Sequence, residues 1–203
     1  MTANPNNLKA KLNVSAPTPL FCLAADPESS HVYCGGADAK VHAFDLSQEK
    51  PSPTAWEGHT SYVMGAAVTG EHLVTGGYDC SLIWWNRATG EKVATQADAH
   101  GRWIRGVQAS PDGKYVASVG DDMVCRIWDG KTRKLLHKLE GHELQTPNHY
   151  PSMLYACAFS SDGKFVATGD RVGHVAIWET ETGRPVTTLE TPVMYTWDPS
   201  ARR

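Results

Sequence analysis

The amino-acid sequence predicts an all-β chain built as a row of similar four-stranded antiparallel sheets. Three observations predict it. Large aromatic residues recur at a nearly fixed interval: Phe44, Trp85, Trp128 and Trp178 stand 41, 43 and 50 residues apart. Each lies near the end of a segment of one pattern, HVYCGGADAKVHAFD (31–45), HLVTGGYDCSLIWWN (72–86), YVASVGDDMVCRIWD (115–129) and FVATGDRVGHVAIWE (165–179). Short runs within these segments alternate apolar and polar residues, and no stretch sustains the 3.6-residue period of an amphipathic helix.

The elements follow from turn chemistry. Lys114 to Ser118 and Cys125 to Trp128 are β-rich alternating runs. Turns part such runs at Pro111-Asp112-Gly113 or Ser161-Asp162-Gly163, at Gly77-Tyr78-Asp79 or Gly120-Asp121-Asp122, and at Ala88-Thr89-Gly90 or Glu181-Thr182-Gly183. Three turns per repeat leave four strands per repeat. A second marker, Gly58-His59, Ala99-His100 and Gly141-His142, recurs at 41 and 42 residues. The long last interval is explained by extra residues between Glu143 and Pro151. A four-stranded sheet recurring every 40 to 45 residues or so is the arithmetic of a β-propeller blade.

With these residues the chain resembles the WD-repeat (tryptophan–aspartate) family, whose units run from a Gly-His pair to a Trp-Asp pair. The resemblance covers roughly residues 20–190 and implies a partial, open propeller of four four-stranded antiparallel blades. Blade 1 is expected over 20–57, blade 2 over 58–98, blade 3 over 99–140 and blade 4 over 141–190, with a loop insertion at 143–151. Segment 1–19 alternates apolar and polar at 8–15, which reads as a ring-closing strand, and 191–203 reads as the start of a fifth blade. Rings of this family most often have seven blades. Four would then leave two sheet faces uncovered, so a fragment of a longer chain, or a second copy or chain completing the ring, is expected.

The resemblance also implies a buried relay in which a turn Asp fixes the His and the Trp ring nitrogen finds an acceptor. His59, Asp79 and Trp85 form one set, and His100, Asp122 and Trp128 another. His142 and Trp178 remain in the fourth unit, where Val172 stands at the Asp position, so this blade is expected to be held less rigidly. The first unit has Asp38 but Phe44 in place of Trp, and no matching His. The hydroxyl that the family often adds eight residues before the Trp is replaced by Gly36, Gly77, Gly120 and Asp170, which makes the relay partial.

Composition narrows the function classes. Lys and Arg number 19 against 22 Asp and Glu, a net charge of −3 that offers nucleic acid no attraction. No apolar run approaches a membrane span, and the N-terminus lacks a secretory signal, so a cytoplasmic protein with no membrane partner is expected. Five cysteines without close spacing read as thiols of a reducing compartment. His–Asp pairs recurring in step with the repeat read as structural, no metal-ligand spacing is present, and His142-Glu143 fails as a zinc motif because position 146 is Thr. Asp121-Asp122 reads as a turn whose side chains point apart. No catalytic constellation and no cofactor site is predicted.

Binding is expected where blade loops converge on the channel mouth. The resemblance places there Tyr62 with Met64, Trp103 with Arg105, and Met153 with Tyr155, together with Ala37, Tyr78, Asp121 and Arg171. Several are residue types enriched in interface hot spots, although the same aromatics could serve to pack neighbouring blades. The expected function is a non-catalytic protein-interaction scaffold that binds a protein or peptide on this face. The alternative is a regulatory or substrate-recruiting propeller of a larger enzyme whose catalytic domain lies outside this chain.

Overall fold

A computed structural model of the chain describes residues 13–142 and 153–189. The described residues contain no helix; they fold into four separate four-stranded antiparallel sheets, each with its strands in chain order. Blade 1 holds β1 (Leu20–Ala25), β2 (His31–Gly36), β3 (Lys40–Asp45) and β4 (Thr54–Glu57). Blade 2 holds β5 (Val63–Thr69), β6 (His72–Gly77), β7 (Leu82–Asn86) and β8 (Lys92–Gln96). In blade 3 are β9 (Ile104–Ala109), β10 (Tyr115–Gly120), β11 (Cys125–Asp129) and β12 (Leu135–Leu139). Blade 4 comprises β13 (Leu154–Phe159), β14 (Phe165–Asp170), β15 (Val175–Glu179) and β16 (Pro185–Leu189). The insertion at 143–151, the segment 191–203 and most of the strand expected at 8–15 lie outside the described residues; residues 13–15 are not in a strand.

The blades pack face to face, because each sheet has two largely apolar faces and only a neighbour can cover them. Leu82 and Trp84 of blade 2 join Ile104, Val107, Val116 and Trp128 of blade 3 in one buried cluster. Cys125, Ile127 and Leu139 of blade 3 meet Leu154, Val166 and Trp178 of blade 4 in another. The first seam buries Tyr33, Val41 and Trp56 against Val63, Leu73 and Trp85. Innermost strands thus lie side by side in the order β1, β5, β9, β13, and among the described residues the row does not return to close on β1.

One position shows how tight these seams are. A Cβ on Gly35 would lie 2.5 Å from the Val63 carbonyl oxygen, and one on Gly76 would lie 2.7 Å from Ile104 Cγ2 and 2.9 Å from Val107 Cγ2. Glycine is needed there because the next blade's inner strand fills the space. At the corresponding Gly169 of blade 4 a Cβ would meet nothing within 4 Å. Among the described residues the face beyond is apolar yet uncovered: Leu189 is 50% exposed, whereas its counterpart Leu139 is 1% exposed.

The hydrogen bonds of the relay are present, and their chemistry corrects three expectations. In blade 2 the His59 Nδ1 lies 2.9 Å from Asp79 Oδ2 and its Nε2 lies 2.8 Å from Thr75 Oγ1, which accepts from Trp85 Nε1 at 2.8 Å. Blade 3 repeats this with His100 on Asp122 at 2.9 Å, His100 on Ser118 at 2.7 Å, and Trp128 Nε1 donating to Ser118 at 2.9 Å. The hydroxyl therefore sits ten residues before the Trp, not eight. Thr75 pairs with Ile83 across the ladder and shares a face with Trp85, so it reaches both rings. The position eight before is the strand end that backs onto the imidazole, and a Cβ on Gly77 would lie 3.1 Å from His59 Nδ1.

In blade 4 that same position holds Asp170, which accepts from His142 Nδ1 at 3.0 Å. Thr168 lies 2.8 Å from His142 Nε2 and accepts from Trp178 at 2.9 Å. Val172 thus removes nothing, because Asp170 supplies the carboxylate; blade 4 has a complete relay. Blade 1 has a histidine after all. His42, on β3 rather than before β1, places Nε2 3.1 Å from both Asp38 oxygens.

Candidate functional site

The starts of the innermost strands converge at one end of the row. Hydrogen bonds at the turn after each second strand fix this end, since the amides of Ala37, Tyr78, Asp121 and Arg171 each donate, at 2.9 Å, to the carbonyls of Pro19, Tyr62, Trp103 and Met153. The inner strands enclose a cavity of about 300 Å³ whose lining includes Cys22, Met64, Arg105, Gln108 and Tyr155.

On this end the side chains form a continuous aromatic run. Phe21 meets Tyr62 at 5.4 Å between ring centroids, Tyr62 meets Tyr78 at 5.7 Å, and Tyr78 stacks on Trp103 at 4.3 Å and 10°. The rings cross the seams between blades 1 and 2 and between blades 2 and 3, yet they keep open surface. Phe21, Tyr62, Trp103 and Tyr155 are each 43 to 48% exposed. Packing and presentation are combined in the same residues.

Arg105 organises the run. Its Nε donates to Asp121 Oδ1 at 2.6 Å and its Nη2 to Asp121 Oδ2 at 2.9 Å, a bidentate fork, while Nη1 donates to the Tyr78 hydroxyl. The guanidinium carbon lies 4.7 Å from the Tyr78 ring centroid and 5.4 Å from those of Trp103 and Tyr155. Three blades are pinned by one cation. The hydrogen bond to Asp121 raises the Arg105 pKa above its ordinary value, against the opposing effect of burial. With both guanidinium edges taken, the surface offered to a ligand is chiefly aromatic and nearly neutral.

The expected residues are not all equally joined. Tyr62, Tyr78, Trp103, Arg105, Asp121 and Tyr155 form one cluster, and Met64 lines the cavity beneath it. Met153 touches Tyr155 through a hydroxyl-to-sulfur contact of 3.9 Å. Arg171 joins through its backbone and exposes its side chain. Asp121 and Asp122 do point apart, one to Arg105 and the other to His100 and to Arg126 at 2.7 Å. Phe21 was not anticipated: blade 1 lacks the Gly-His marker that sets the register, and the alternation along β1 was the one signal that could have revealed it. Among the described residues no group of three or more His, Cys, Asp or Glu could hold a metal ion. No helix among them is long and apolar enough to cross a membrane.

Fold and site together define a row of radially packed blades that presents an aromatic surface at its channel mouth. The family model "WD domain, G-beta repeat" matches residues 50–86, 90–129 and 133–179, more than half of the chain, and the chain belongs to that family. It is similar to nuclear distribution protein nudF of Aspergillus niger, at 27% identity over 75% of this chain and 38% of that protein. It is 28% identical to cell division cycle 20.1, cofactor of APC complex, of Arabidopsis thaliana, over 81% of this chain and 36% of the relative. Small ribosomal subunit protein RACK1y of Oryza sativa subsp. japonica is 30% identical over 63% of this chain and 36% of its own length. The chain spans less than two-fifths of each of these relatives.

Proposed function

We propose that the chain is a non-catalytic protein-interaction scaffold of the cytoplasm, binding a protein or peptide at the channel mouth through Tyr62, Met64, Tyr78, Trp103, Arg105, Asp121, Met153, Tyr155 and Arg171. The observation that carries the reading is the aromatic run pinned by Arg105, exposed on one side and rigidly backed on the other. Rigid aromatic groups lose little entropy on binding and supply most of the energy of many interfaces. The names of two relatives tie them to larger assemblies, one as a cofactor of the APC complex and the other as a small ribosomal subunit protein, which supports the same reading. Affinity capture with the chain tests it. Trp103→Ala and Tyr155→Ala should each abolish retention of the captured partner while keeping the β-sheet circular dichroism, with only a modest fall in the melting midpoint from the lost ring contacts; full retention by both variants rejects the site.

The uncovered face of blade 4 supports a second contact. Its Gly169 repeats the position where Gly35 and Gly76 admit a neighbouring inner strand, so its fitting occupant is a further blade, supplied by a longer stretch of the same chain, a second copy or another chain.

A further inference from the structure

Two of the three seams are sealed at their outer edge by one register position, the outer-strand residue opposite the start of the third strand. Trp56 fills it in blade 1, paired with Val41, and Leu139 fills it in blade 3, paired with Cys125; both are buried. In blade 2 the same position, paired with Leu82, is Gln96, which is exposed. The seam between blades 2 and 3 therefore gapes. A cleft of about 530 Å³ opens there, within the range of small ligand-binding sites.

Its walls are unusual for a gap left by poor packing. Arg126, Arg133, Lys134 and Lys138 line it against a single carboxylate, Asp98, and its floor is Ala99, Trp128 and Leu135. Arg126 is held by Asp122, but Arg133, Lys134 and Lys138 make no ion pair among the described residues. Lys138 pairs with Arg126 directly across the β11–β12 ladder, and like charges so placed repel. Arg133 adopts φ +64°, at the turn position that Gly90 and Gly183 occupy in blades 2 and 4 with φ +75° and +70°. Those glycines give way to a ring of the preceding blade: a Cβ would lie 2.4 Å from Trp56 Nε1 at Gly90 and 2.8 Å from His137 at Gly183. An arginine in left-handed conformation is strained, because its Cβ crowds the following carbonyl. Blade 3 accepts strain and repulsion together, and both place cations at one cleft.

We propose that this cleft is a docking site, separate from the channel mouth, for an extended acidic segment of a partner protein with apolar residues between its carboxylates. The charge layout selects an extended occupant over a compact anion. Lys134 just precedes β12 and Lys138 lies near its far end, on the order of 10 Å away across a bulged stretch of strand, and the partly exposed Leu135, paired with Trp128 across the ladder, lies between them in the chain. A segment alternating carboxylate and apolar side chains meets both the cations and the floor.

Fluorescence anisotropy with the whole 203-residue chain and a labelled octapeptide alternating Glu and Leu tests this. The same peptide with Lys for Glu is the control, and inorganic pyrophosphate the competitor. The acidic peptide should bind and the basic one should not. Reversing two exposed charges with Lys134→Glu and Lys138→Glu together should weaken binding by about tenfold or more. Gln96→Leu, which restores the apolar plug without changing charge, should also weaken it, and Trp103→Ala should leave it unchanged. Equal binding by the charge-reversed chain overturns the proposal. So does displacement by pyrophosphate as effective as by unlabelled peptide, which would mark a free-anion site, or loss of binding in Trp103→Ala, which would place the peptide at the mouth.

Discussion

A buried indole nitrogen must find an acceptor, and in three of these blades one hydroxyl serves both the indole and the imidazole beside it. Ser118 accepts from Trp128 Nε1 and faces His100 Nε2, whose other nitrogen donates to Asp122. Ser118→Ala leaves two buried polar atoms without partners and should cost about 1–3 kcal/mol in urea unfolding, whereas Ser118→Thr, the residue type of blades 2 and 4, should recover most of the loss. The relay also sets a pH dependence. Burial lowers the His100 pKa from its ordinary 6.5 despite the bond to Asp122, so folding favours the neutral ring. Its contribution is complete above 6.5 and is lost as pH falls through the lower folded value. Burial raises the Asp79 carboxyl, but the His59 hydrogen bond and charge outweigh it and bring the pKa to about 2, so its contribution is lost between about pH 4 and 2. The thermal midpoint should hold steady from about pH 8 to 7, decline below about 6.5, and decline again below about 4; a midpoint that rises on acidification from neutrality would refute this relay polarity. The His, Asp and Trp partners were legible because they recur with the repeat. The hydroxyl was not, because Thr75, Ser118 and Thr168 sit inside apolar strands where their side chains read as packing, and Asp170 was missed because a carboxylate two residues earlier can reach the same ring.

Strands and turns were legible for a simple reason: each repeat carries its own alternation, and the last three carry their own Asp-Gly or Thr-Gly turns, so several readings of one element correct each other. Which side of a strand meets which neighbour was not legible, since both faces are apolar. The glycines carry that information. Gly76→Ala drives a Cβ into Ile104 and Val107 of the next blade and should destabilise by about 1–3 kcal/mol. Gly169→Ala meets open space and should be neutral or stabilise by up to about 1 kcal/mol. Chemical denaturation of the two variants side by side checks the pair; equal losses would mean that the faces of blades 2 and 4 are covered alike. The mouth cluster shows the same limit. Its members were readable from register, but the bidentate pair of Arg105 with Asp121, and with it the near-neutral character of the surface, depends on a contact between two strands that no spacing reveals.

Across the whole molecule, each sheet is sealed by the sheet beside it, and the last described one has no cover. Val175, Ile177 and Leu189 repeat the positions of Cys125, Ile127 and Leu139, which blade 4 buries, but they remain partly or largely accessible. An apolar face of that kind favours association. Sedimentation velocity of the purified chain over a hundredfold concentration range, with and without Ile177→Glu, is the most direct measurement. The wild-type chain should associate as concentration rises and Ile177→Glu should hold it monomeric; a compact monomer throughout, unchanged by the substitution, would contradict the account.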